Sequence, residues 1–220
     1  VLVPLVAIAL RATIPLRDGH AIGLILLATA AGAPFLPKLA QTAKGDIALS
    51  VGLMVLLMIV TVIYVPLVLP ILLPGVSVNP LDIAKSLIVL MIIPLAIGLF
   101  LRARYPDTAA HLQPTFSQVS NTAFLILFAT MILLNWRTIL GAIGSGAIIA
   151  ALLFIAASFA IGYFLAGKSA DTRAVLGLGT AQRNVSAALV VAGQNFTDPD
   201  VLVMVLTGAM LMLVILMPLA

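Results

Sequence analysis

Apolar residues in this chain run in long blocks separated by short polar punctuation. Eight blocks can be marked: 1–16, 21–37, 47–73, 82–104, 119–136, 143–167, 174–196 and 201–220. Each is roughly 16–27 residues long, about the length of helix that crosses a ~30 Å hydrocarbon layer. None alternates polar and apolar residues with the period of two that a membrane barrel strand needs. The pattern therefore predicts an all-α, polytopic helical membrane protein.

Two blocks depart from lipid-like composition. The first carries Pro34 and Pro37 within Ala33–Gln41. Two prolines three residues apart remove backbone donors and clash with the preceding turn, so a broken helix with free carbonyls is expected there. The second holds Thr180-Ala181-Gln182-Arg183-Asn184-Val185-Ser186 inside the otherwise apolar run Ala174–Phe196. Five polar side chains in seven residues cannot share one seam of a regular helix, and Gly177, Gly179 and Gly193 permit unwinding. A guanidinium at mid-membrane depth costs between about 2.5 and about 17 kcal/mol unless it faces water or a partner. The run contains no acidic residue, which leaves water, backbone carbonyls or an anionic ligand as partners. An anionic ligand makes Arg183 dispensable for stability, since removing an uncompensated charge relieves desolvation.

The breaks are paired. Asp46 set against Asp200 aligns the apolar stretches that follow each of them without gaps, and each stretch follows an interrupted block. The two lie five blocks apart, an odd step that inserts the second copy upside down, the inverted-repeat plan of many secondary transporters. On this reading 1–220 is one transporter unit. Residues 82–220 form the complete second repeat and 1–73 the remainder of the first, with about two helices of a ten-helix plan expected before Val1. The start at Val1 rather than Met suits a continuing polypeptide, and no signal-peptide pattern is present.

Composition narrows the class further. The chain is 63% hydrophobic and 8% charged, with a mean hydropathy of +1.29, which excludes an ordinary soluble domain. It has no cysteine, so thiolate chemistry and Cys-ligated metals are excluded. The net charge of +4 is spread over short loops and marks topology rather than nucleic-acid binding. One set of loops holds Lys38, Lys44, Arg102, Arg104, Lys168 and Arg173; the other holds Arg17, Lys85 and Arg137 with Asp198 and Asp200. The positive-inside rule puts the first set, and with it the C-terminus, in the cytoplasm. Trp136, Tyr64 and Tyr105 read as interface anchors, Pro66, Pro70 and Pro94 as kinks, Ser120 and Asn121 as a helix start, and Gly141, Gly144 and Gly146 as a packing face. His20 and His111 read as loop residues without a metal role. No Asp, Glu, Cys or His lies at the centre of a block, so an intramembrane enzyme is not expected.

Lys44-Gly45-Asp46-Ile47-Ala48-Leu49-Ser50 after a proline-broken helix, followed by Arg183-Asn184-Val185-Ser186-Ala187-Ala188-Leu189, resembles the bile acid:sodium symporter family along essentially the whole chain. The resemblance is to bacterial members, which implies an inner (plasma) membrane location. It further implies a core with two crossing, unwound helices, a separate panel, and sodium-driven transport of organic anions. At the positions where that family holds sodium, Leu36 and Pro37 replace a Ser-Asn pair and Met54 a threonine. Gly179, Ala181 and Arg183 replace a Glu, a Gly and a Gln. Ser50 and Asn184 are kept and are the remaining ion-site candidates. The expectation is a secondary transporter of a small organic anion held by Arg183, Gln182, Asn184, Ser186 and Thr180, with Lys38 and Gln41 at the cytoplasmic mouth. Its partners are that anion and the lipid bilayer, with no nucleic acid, no cofactor, and Na+ as a coupling ion that is not obligatory. The alternative is a non-transporting membrane scaffold on the same fold. The sequence fixes no oligomeric state.

Overall fold

Each apolar block coincides with helix. The computed structural model describes residues 2–73, 79–142 and 144–220, and no strand occurs among the described residues. The helices are α1 (Leu2–Thr13), α2 (Asp18–Thr29), α3 (Leu36–Thr42), α4 (Ile47–Leu72), α5 (Pro80–Leu87), α6 (Ile93–Arg104), α7 (Pro106–Ala142), α8 (Ala147–Leu165), α9 (Ala170–Ala181), α10 (Val185–Asn195) and α11 (Pro199–Leu219). Among the described residues, five stretches are long and apolar enough to cross a membrane: Ile47–Leu72, Pro80–Arg104, Ala147–Leu165, Ala170–Asn195 and Pro199–Leu219. Two shorter apolar helices, α1 and α2, accompany them.

Helix starts follow capping chemistry. Asp46 Oδ1 accepts from the Leu49 N–H at 2.9 Å, and Asn79 Oδ1 from that of Leu81 at 3.0 Å. Asp198 Oδ1 accepts from the Asp200 N–H at 2.9 Å. Pro80 and Pro199 sit in first turns, where the missing N–H is harmless. Asp198, not Asp200, thus caps α11 as Asp46 caps α4, so the gapless register drawn from sequence is two residues out at this point.

Helix α2 lies along α11, α8 along α9, and α1 on both α2 and α8. Close approach depends on missing side chains: a Cβ on Gly23 would sit 2.6 Å from the Val201 carbonyl oxygen, and one on Gly162 would overlap the Leu176 carbonyl. The loops sort to two ends. Gly146 abuts Ile14 and Leu16, and Arg17 reaches Asp200 at 3.5 Å, at one end. Gly45 abuts Val175 and Asp171 at the other. The outer faces of α4, α6 and α8 expose Ile63, Leu67, Ile71, Phe100, Ile149 and Phe164, as lipid-facing surfaces do.

Several local expectations are corrected. Helix α7 begins at Pro106, so Ser120 and Asn121 lie inside it rather than at its start, and His111 is an exposed helical residue. His20 belongs to the first turn of α2 and is fully buried. Gly144 and Gly146 have φ of 92° and 79° and form a turn, which needs left-handed backbone, rather than a helix packing face. Helix α4 continues through Pro66 and Pro70. The stretch before Pro94 is a π turn, Ile88–Ile92, which absorbs the hydrogen bond that proline cannot make.

Candidate functional site

The first break opens earlier than its prolines suggest. Helix α2 stops at Thr29, residues 30–35 are irregular, and Pro37 falls in the first turn of α3. The conformational cause is Gly32, with φ of 78°. A side chain there would also overlap the Met58 backbone nitrogen on α4. The second break is short. Helix α9 ends at Ala181, Gln182 is its C-cap, and α10 restarts at Val185 with Asn184 as N-cap. Asn184 Oδ1 accepts from the Ala187 N–H at 3.0 Å, which fixes that restart.

The two breaks meet. The Asn184 N–H donates to the Ala30 carbonyl at 3.1 Å, and Asn184 Nδ2 donates to the Gly32 carbonyl at 3.1 Å. Thr61 of α4 serves the residue between: its hydroxyl accepts from the Ala31 N–H at 2.9 Å and donates to the Ala31 carbonyl at 3.0 Å. The carbonyls of Ala30, Ala31 and Gly32 thereby gain partners that lipid could not supply.

Arg183 closes the junction. It is 6% exposed, and its Nε and Nη2 donate to the carbonyls of Leu27 at 3.0 Å and Ala28 at 2.7 Å. Its Nη1 donates to the Thr180 carbonyl at 3.3 Å. These oxygens belong to the last turns of α2 and α9, where helices leave carbonyls without intrahelical donors. Each such end carries roughly −0.5 of an elementary charge. The guanidinium sits where two negative helix ends converge, and its planar fork reaches both. The partner class expected from the sequence, carbonyl or ligand, is met in the first form by three of its five N–H groups.

Beside Arg183 lies a cavity of about 320 Å³ between α1, α2, α4 and α9. Its walls are mostly apolar, with Leu53, Leu57 and Leu176 among them, and Thr29, Thr61, Tyr64, Thr180 and Arg183 supply its polar groups. Of the residues singled out from sequence, Arg183 and Thr180 line this space. Gln182 is buried next to it in sequence, with its Oε1 lacking a hydrogen-bond partner. Asn184 is committed to the crossover. Ser186 on α10 and Lys38 and Gln41 on α3 are exposed and lie outside the lining. Ser50 is buried, and its hydroxyl donates to the Ile47 carbonyl of its own helix at 2.7 Å. Tyr64 faces the cavity rather than a membrane interface.

Thr61 and Gly32 escaped the sequence reading, and Tyr64 entered it as an interface anchor rather than a cavity residue. Thr61 and Tyr64 are the polar side chains in the middle of the 47–73 block, a signal that polarity at depth could have raised. Gly32 stands in the small run Ala30-Ala31-Gly32-Ala33 just before Pro34, which marks a turn more directly than the prolines do.

Two broken helices meet here, tied by polar groups, beside a mostly apolar cavity. Residues 1–142 match the Sodium Bile acid symporter family, and the chain belongs to that family. The second break lies beyond the matched segment. A probable chloroplastic sodium/metabolite cotransporter of Oryza sativa, BASS5, is 26% identical over 130 residues, covering 54% of this chain and 32% of its own length. Another, BASS3 of Arabidopsis thaliana, is 25% identical over 143 residues, covering 64% of this chain and 33% of its own. The chain spans about a third of the length of these curated relatives.

Proposed function

We propose that the protein is a secondary transporter of a small organic anion, whose body occupies the cavity beside α4 and whose charged group meets Arg183. The cavity carries the reading. Its volume of about 320 Å³ falls at the lower end of small-molecule sites, and an apolar wall with a few convergent polar groups is their usual chemistry. Among the described residues of its lining, Arg183 is the one ionised group. Two guanidinium N–H groups remain beyond the three donated to carbonyls, and the hydroxyls of Thr180 and Tyr64 share the space. Charge-assisted bonds shielded from water are strong enough to orient a carboxylate or sulfonate. The family membership and the names of the relatives, sodium/metabolite cotransporters, support a small-molecule substrate.

The architecture supports an inverted repeat, with 1–73 as part of one copy and 82–220 as the other. Helix α3 packs on α9 and α10 on α2, while α4 contacts α9 and α11 contacts α2. This reciprocal pattern is the one a pseudo-two-fold axis in the membrane would generate. We orient the end that carries Lys44 and Lys168 toward the cytoplasm, and with it the C-terminus.

Counterflow tests the proposal: the full chain in proteoliposomes is preloaded with each of a panel of small organic acids, and uptake of the labelled acid is followed. Saturable exchange of one acid, lost when Leu57→Trp fills the cavity, supports it. Absence of exchange for every acid by a folded protein would favour the non-transporting scaffold.

A further inference from the structure

The family name and the relatives lead one to expect a bound sodium ion, and the crossover can be tested for the oxygens that would hold one. Six backbone carbonyls at the crossover accept hydrogen bonds from Arg183, Asn184 or Thr61. Leu27, Ala28 and Thr180 face the guanidinium of Arg183. Ala30 faces the Asn184 N–H, Ala31 the Thr61 hydroxyl, and Gly32 the Asn184 amide. Each carbonyl oxygen keeps a second lone pair, but three of these six already face a guanidinium, whose positive charge repels a second cation placed beside it. Among the described residues, the buried side-chain oxygens left without a hydrogen-bond partner are those of Gln182 and Ser158. No cluster of acidic or histidine side chains able to hold a metal occurs among the described residues. A sodium shell does not fit this crossover as it stands.

We propose that the guanidinium of Arg183 is the resident cation of the crossover, tethered by the chain, and that it takes over the work a sodium ion would do. The C-termini of α2 and α9 each carry roughly −0.5 of an elementary charge, and the guanidinium bonds to carbonyls of both. The guanidinium's charge is always present, so the crossover needs no ion from solution to hold its two halves together, and its assembly is independent of a sodium gradient. Arginine suits the task where lysine does not, because its fork spans carbonyls on two different helices at once. This deepens the transport reading, since it makes the coupling ion dispensable at the same site.

The test needs no substrate, which separates it from the fate of that reading. Thermal unfolding of the full chain in detergent is compared in sodium, potassium and choline chloride at equal ionic strength, for the wild type and for Arg183→Ala. The wild type is expected to melt at one temperature in all three salts. Arg183→Ala is expected to melt lower in choline and to recover by on the order of 5 °C in sodium or methylguanidinium chloride, as a ligand bound only by the folded state produces. A sodium-selective rise of that size in the wild type overturns the proposal. So does an Arg183→Ala variant that melts like the wild type in choline, or one that melts lower and is rescued by neither cation. Should Arg183→Ala fail to fold, Arg183→Lys replaces it: a lower melting temperature that sodium does not change supports the proposal, and wild-type melting overturns it. If no acid is exchanged in counterflow, the melting data still decide the role of Arg183.

Discussion

Thr61 of α4 and Ala31, in the break after α2, grip each other twice: one hydroxyl accepts from the Ala31 N–H at 2.9 Å and donates to the Ala31 carbonyl at 3.0 Å. A single threonine thus completes a residue of backbone that the break in the helix leaves without partners.

Thr61→Val keeps the shape of the side chain and removes both bonds. Each unpaired backbone group in an apolar setting costs about 1–3 kcal/mol. The variant is expected to melt several degrees below the wild type in detergent, while Thr61→Ser, which keeps the hydroxyl, stays close to it. Equal melting of the valine variant would mean that the bonds contribute nothing net.

Glycines at two positions should respond in opposite directions. Gly32→Ala must place a side chain at φ 78° and against the Met58 backbone. The left-handed region alone costs roughly 1–2 kcal/mol for a non-glycine residue, and the overlap adds to it, so little folded protein is expected by size-exclusion chromatography. Gly52→Ala, where a Cβ meets nothing within 4 Å, should instead be neutral or stabilise α4 by up to about 1 kcal/mol.

Arg183→Gln tests the carbonyl ties directly. The sequence alone leads one to expect relief of an uncompensated charge and unchanged or higher stability. The three donated bonds reverse that sign, because their loss strands helix-end carbonyls in a buried site, at about 1–3 kcal/mol each before relaxation. A melting temperature at or above that of the wild type would show the ties to be incidental.

Filling the cavity should separate binding from folding. Leu57→Trp adds bulk on the α4 wall beside Tyr64 and Arg183 without touching the crossover bonds. Exchange in counterflow is expected to fall at least tenfold, equivalent to about 1.4 kcal/mol, with melting within a few degrees of the wild type. Unchanged exchange would place the substrate elsewhere.

The long apolar blocks made the helices legible because a lipid-crossing helix needs length and apolarity and little else. The start of the 47–73 block was legible too, falling at the first residue of α4. Helix α7 was not, since its first turns, from Pro106 to Ser120, are polar and read as loop. Arg183 stood out because a guanidinium in an apolar run is costly, yet its partners could not be read. Backbone carbonyls leave no mark in a sequence, and Leu27 and Ala28 look like any other residues of α2. His20 was misplaced for a similar reason. Its burial comes from α11, 180 positions away along the chain, where Asp200 lies 3.8 Å from its ring.

The double anchoring of α2 has a mechanical consequence. Gly19 and Gly23 seat its first half against α11, and Arg183 and Asn184 pin its last turn and the strand beyond. Prising the broken helices apart would strip several carbonyls of donors inside lipid, at a cost of several kcal/mol for each. The crossing therefore behaves as a fulcrum rather than a hinge. On the transport reading, rocking that opens the cavity to one side and then the other pivots around it, with the sliding surfaces placed where apolar faces meet without polar ties.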